Sequence, residues 1–188
     1  MHPLDLAPLA DNVFRLLTLS SHSLVLLFAE ILPDIAHRGW TTSKGLAHAR
    51  RLLEPQVAAA AAARRVKDDI TLLRKRVAEG REARGRAGCD RADDAFHQSI
   101  AQVARNPLLI AFLRHYSSAR CRAVWQREWD RTYRRVGVEE FTRVHDDHHE
   151  QVGDAIAAGD GTAAHHAMAH HLEAVSIDMG VLSSMPSR

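Results

Sequence analysis

The chain has 188 residues, 46% hydrophobic and 26% charged, with a formal net charge of +2. That is long enough for one domain with a full core, ordinary for a soluble globular protein, and too evenly charged to argue nucleic-acid binding by itself. Only 5% of the residues are aromatic, while alanine and arginine are abundant, which favours helices packed closely through small side chains. The outlier is histidine: of 13 in the chain, His145, His148, His149, His165, His166, His170 and His171 fall in the last quarter. Cys89 and Cys121 stand apart with no CxxC pair, so they read as thiols of a reducing cytosol rather than a disulfide framework. The apolar run 24–32 is broken by Glu30 and falls far short of the roughly 20 residues that span a bilayer. No basic segment precedes it in a signal-peptide layout, so a cytoplasmic protein with no membrane partner is expected.

Residues 1–45 carry weak signals. Segments 11–19 and 23–32 each suit a short helix, the second ending before Pro33, and 37–45 reads as a loop. From Leu46 the pattern is firmly helical. Leu46, Arg50, Leu53, Val57 and the alanine run 58–63 predict a first helix, with Pro55 expected to kink it or mark a local break. A second helix is predicted over 67–84, with Ile70, Leu73 and Val77 on its apolar stripe and Gly80 weakening its end. The basic run Arg74-Lys75-Arg76 reads as a solvated face.

After a predicted break at 85–88 comes a helix that carries Asp93 and His97 and runs to about Arg105. Asn106-Pro107 is a start signal, an N-cap followed by proline at the first helical position. It opens a long helix reaching to about Arg134, in which Trp125 and Trp129 read as packing residues. Gly137 interrupts, and a further helix spans 138–158. Gly159-Asp160-Gly161 then supplies a C-terminal glycine and an N-cap aspartate for a last helix over 162–179. The expectation is all-α: an antiparallel bundle of about six to seven helices over 46–180, a short segment before it (1–45) and a tail after it (181–188).

Asp93 and His97 are four residues apart, so they sit one above the other on a helix and share its face with Phe96 and Ile100. A carboxylate and an imidazole aimed toward the apolar side need partners, and a metal ion is one answer to both. Asp94 points about 100° away. In the last helix Met168, Leu172, Val175 and Met179 define a buried arc that takes in His171 and leaves His166 and His170 outside it. In the helix before, His148 and His149 are tied on spacing. One carboxylate with several imidazoles suits a divalent transition metal.

The motifs themselves resemble a known family. Asp93-Asp94-Ala95-Phe96-His97-Gln98-Ser99-Ile100, followed by Asn106-Pro107-Leu108-Leu109, is similar to the signature of the FCD effector domain of FadR-type GntR transcription regulators. His149 through Asp160, Met168-Ala169-His170-His171-Leu172 and, upstream, Arg50-Arg51-Leu52-Leu53-Glu54-Pro55 resemble its other motifs in the same order. The likeness covers roughly 45–180. It implies a metal held by Asp93, His97, His149 and His171, so it separates His149 from His148. Zinc is the first choice, with nickel or manganese as alternatives. It also implies a small organic acid as effector, helped by Arg50, a homodimer, and a regulatory rather than catalytic protein. Gly153 departs from the family, which usually has an apolar residue there.

The winged helix-turn-helix of such regulators needs about 65–70 residues, the scale of a small domain. The 45 residues before Leu46 show no complete one, so that segment is expected to be a truncated or divergent head, and DNA a partner only if the head functions. Two other readings stay open: a headless metabolite or metal sensor acting through a partner protein, and a metal-dependent enzyme using Asp94, Asp146 or His145 as base.

Overall fold

A computed structural model of the chain describes residues 42–120 and 123–180. They form α1 (Ser43–Arg64), α2 (Lys67–Glu82), α3 (Gly85–Val103), α4 (Pro107–Arg120), α5 (Ala123–Val136), α6 (Val138–Ala158) and α7 (Gly161–Asp178). No strand occurs among the described residues, in keeping with the all-α expectation. The helices expected at 11–19 and 23–32, and the tail 181–188, lie outside the described residues.

The predicted ends move for identifiable reasons. The loop expected to reach residue 45 stops at Thr42, whose Oγ1 accepts a hydrogen bond from Gly45 N at 3.0 Å and so starts α1 three residues early. Helix α1 runs on through Pro55, which is wholly buried. The break expected at 85–88 is confined to Ala83 and Arg84, since α3 already begins at Gly85. The long helix expected from Pro107 to Arg134 is described as two, α4 and α5, with residues 121–122 outside the described set. Its start is as expected: Asn106 Oδ1 accepts from Leu108 N at 3.0 Å and from Leu109 N at 3.4 Å.

Helix α1 packs on α7, α3 and α6, while α6 packs on α7 and α2. The alanine run explains the first of these contacts. Ala58, Ala61 and Ala62 are wholly buried, and a side chain at Gly161 of α7 would meet Ala59 O at 3.4 Å. Small residues therefore let the two backbones approach closely. The main core joins Val57 and these alanines to Leu73, Phe96, Ile100, Val152, Ile156, Met168 and Leu172. A second cluster gathers Leu46, Trp129, Tyr133, Phe141, Val175 and Met179, with Trp129 stacked on Tyr133. Trp129 is thus a packing residue. In the basic run Arg74 and Lys75 are exposed, but Arg76 is half-buried and donates to Ser99 Oγ at 3.2 Å and Glu79 Oε2 at 2.7 Å.

Candidate metal centre

Helices α3, α6 and α7 bring four side chains to one point in the bundle. His97, His149 and His171 are all buried, and Asp93 is half-buried beside them. His171 Nε2 lies 3.2 Å from His97 Nε2 and 3.3 Å from His149 Nε2. Asp93 Oδ1 lies 3.4 Å from His149 Nε2 and 3.6 Å from His97 Nε2. Ligand atoms about 3.3–3.4 Å apart are what a tetrahedral ion with bonds of about 2.0–2.1 Å requires.

Hydrogen bonding alone satisfies this arrangement poorly. Each neutral imidazole carries one proton, and His97 has reason to keep its proton on Nδ1, which sits 2.6 Å from Glu54 Oε2. That leaves its Nε2 as a lone pair facing two other ring nitrogens and a carboxylate oxygen. A cation resolves the conflict, so the donor set fits a divalent ion.

The surroundings hold the rings in place. Glu54, in α1, is 2% exposed and is shared between His97 and Arg50, whose Nε donates to Oε1 at 2.5 Å. Burial alone would push the Glu54 carboxyl up. Arg50 and then His97 outweigh it and hold the pKa at about 2, so the group stays anionic. Asp146 Oδ1 lies 3.7 Å from His149 Nδ1, beyond hydrogen-bond reach but close enough to act on the ring by its charge. Burial pulls the His149 pKa down, but the neighbouring carboxylates of Asp146 and Asp93 bring it above the usual histidine value. His171 is driven well below that value, by burial first and by neighbouring His149 and His97 next. His145 falls to about 3 for the same reasons, burial and then His149.

Asp94 stays out of the cluster and lines an outer groove with Asp90 and Trp129. His166 and His170 are exposed, and His148 is half-buried behind His149. Arg50 is 3% exposed and bound to Glu54, with Nη2 at 3.4 Å from Oε2 in addition to the Nε contact. Sequence reasoning missed Asp146 and Glu54 as supports of the site; Glu54 entered it only as a partner for Arg50. The available signal was their place one helical turn from a site residue, Asp146 from His149 and Glu54 from Arg50. A cavity of about 20 Å³, room for about one water, touches Asp93, His145 and His149. Cys89 and Asp146 separate it from a wider groove of about 600 Å³ bordered by Arg81, Arg84 and Arg143.

The family model for the FCD domain matches residues 46–174. The chain belongs to the FCD domain family. In sequence, this FCD chain is 34% identical over 131 residues to the HTH-type transcriptional regulator LutR of Bacillus subtilis (strain 168). The match takes in 69% of this chain but 58% of LutR, so it spans less than two thirds of that relative's length. The solved structure of E. coli McbR/YncC superposes with a TM-score of 0.64 over 90% of this chain and 84% of that one. At 13% identity that likeness bears on the fold alone: the FCD helical bundle. None of the described helices is long and apolar enough to cross a membrane.

Proposed function

We propose that this chain is the effector-sensing part of a GntR/FadR-type transcription regulator. In this reading Asp93, His97, His149 and His171 hold a divalent transition metal, zinc first and nickel or manganese next. A small carboxylate metabolite completes its coordination, and occupancy biases a homodimer between DNA-competent and DNA-incompetent states. The observation that carries the metal is the convergence of three buried Nε2 atoms and one carboxylate oxygen at 3.2–3.6 Å. The regulatory half rests on the family and on the likeness to LutR.

Arg50 is the candidate for reaching the effector's carboxylate. Its contacts to Glu54 use two of five N–H donors, which leaves donors to spare. The 20 Å³ cavity beside Asp93 holds no organic acid as it stands, and Arg50 lines neither it nor the adjoining groove, so an effector that meets both the metal and Arg50 requires the site to open. No catalytic role is assigned to any of these groups.

Metal analysis after dialysis tests the first half. At least one equivalent of zinc per chain is expected, with at least one equivalent lost in His149→Ala and in His171→Ala; equal and negligible metal in all three sinks the metal reading. Thermal shifts against a panel of small carboxylates, run with and without the metal, then test the effector. Titration of DNA from upstream of its own gene at fixed salt tests the output, with no binding at any effector concentration counting against a DNA-binding regulator.

A further inference from the structure

Behind the first cluster lies a second group of histidines that the proposed function does not use. His145 and His148 of α6 and His171 of α7 each offer a ring nitrogen within 4.8 Å of the other two. His145 is 4% exposed; its Nδ1 has no hydrogen-bond partner, and its Nε2 has only the Asp178 carboxylate nearby. His148 Nδ1 is also buried without a partner, and so is His171 Nδ1 on a residue with no exposure at all. Three partnerless Nδ1 atoms on three rings in one place make a costly arrangement for buried polar groups.

The geometry points to a second metal site, in which His171 bridges two ions. Its Nε2 is engaged with His97 and His149, so Nδ1 is the atom that remains for His145 and His148. Asp178 borders the group, its Oδ2 3.4 Å from His145 Nε2. The end of α7 that carries Asp178 is held by α5, where Thr132 Oγ1 donates to Asp178 O at 3.3 Å and Arg135 donates to the same carbonyl. His170 packs edge-on against His148 with ring centroids 4.7 Å apart and is exposed, which gives an ion a route in from solvent.

Three imidazoles select a divalent transition metal of the zinc or copper kind. The three ring nitrogens lie within 4.8 Å of one another, against roughly 3.4 Å in a bound tetrahedral set, and the half-buried His148 is the ring with room to adjust on binding. The proton balance is explicit. With Nε2 on the first ion, neutral His171 carries its proton on Nδ1; the second ion takes that nitrogen's electron pair and the proton leaves to solvent. The resulting imidazolate carries one negative charge between two cations.

This inference rests on His171 being a ligand of the first metal, and the test separates the two. The full chain, stripped of metal, is dialysed against buffered zinc, and bound zinc is measured by atomic emission with helicity checked by circular dichroism. Two equivalents per chain are expected in the wild type, and one in each of His145→Ala and His148→Ala. The second of these alters a half-buried residue and keeps the test sound if the first fails to fold. His171→Ala is expected to weaken both sites by at least tenfold. A wild type that binds one zinc, unaffected by either α6 substitution and lost in His149→Ala, overturns the second site and leaves the first standing. No zinc in the wild type overturns both. Loss of the first equivalent alone in His171→Ala overturns the bridge.

Discussion

Glu54 shows how much one buried carboxylate does here. Its two oxygens face different partners, Oε1 the Arg50 Nε and Oε2 the His97 Nδ1. Glu54→Gln keeps the shape but aims an amide N–H at a group that must donate, and it leaves the Arg50 charge buried without a counter-ion. Losing one partner of a buried ion pair costs about 3–5 kcal/mol, and losing the group that orients a ligand lowers metal affinity about 10–100-fold. Urea unfolding and zinc competition with a chelator measure the two effects separately. Glycine offers a paired test at the same scale. A Cβ at Gly80 would lie 2.5 Å from Asp146 Oδ1, whereas one at Gly153 would meet nothing within 4 Å. Gly153→Ala should therefore gain the usual helical increment of roughly 0.5–1 kcal/mol. Gly80→Ala should instead lose about 1–3 kcal/mol through overpacking and disturb the carboxylate beside His149. Equal gains in urea unfolding would show that Asp146 yields without cost.

Among the elements, the junction between α6 and α7 matters most, because those two helices carry His149 and His171. Gly159 ends α6 at φ 77°, and Asp160 N closes the turn on Ala155 O at 3.1 Å. Asp160 then caps α7, its Oδ1 accepting from Ala163 N at 2.8 Å. Arg65 from the α1–α2 turn lies against the same place, donating to Ala157 O at 3.2 Å and Ala158 O at 3.1 Å. A Cβ at Gly159 would both strain the left-handed backbone and collide with that guanidinium. Gly159→Ala is expected to cost at least about 1–2 kcal/mol, read by thermal unfolding. Asn106→Ala, which removes only the α4 cap, should cost about 1 kcal/mol. A Gly159 loss no larger than that of Asn106 would argue that Arg65 moves aside freely.

At the scale of the whole molecule, the buried histidines tie stability to pH in the metal-free protein. His145 falls from 6.5 to about 3 and His171 also lies well below 6.5, so both are neutral when folded and take up protons on unfolding. Their stability is complete above pH 6.5 and is lost as pH falls below it, for His145 down toward 3. His149 has the opposite sign: its raised pKa adds stability below 6.5 that disappears as pH rises through its folded value. The large His145 depression, from 6.5 to about 3, sets the sign of the net effect. Glu54, lowered from 4.5 to about 2, adds a further loss only below pH 4.5. Urea midpoints in chelator should therefore fall between pH 7.5 and 5, and zinc should raise the midpoint most at the higher pH, where protons compete least for the rings. A flat profile over that range would mean that these histidines are not buried neutral.

The sequence by itself determined the helical architecture. The period of the apolar residues marked the helices from Leu46 on, though it ran α4 and α5 together as one, and the chemistry of Asn106-Pro107 and Gly159-Asp160 set boundaries that the structure keeps within a residue. Periodicity also separated Asp93 from Asp94 and His171 from His170, because neighbours on a helix point in different directions. It did not separate His148 from His149, whose directions straddle the edge of the buried face. That needed the family likeness, and in the structure His149 lies in the cluster while His148 stands behind it. Only the tertiary structure brought Glu54 to His97, Asp146 to Gly80, and His145 and His148 to the far side of His171. Apart from His145 and His148, which share a helix, these are contacts between different helices, and no spacing along one helix encodes how another is placed against it. The alanine run was legible as a helix; that it draws α1 onto α7, and so Glu54 into the centre of the bundle, was not.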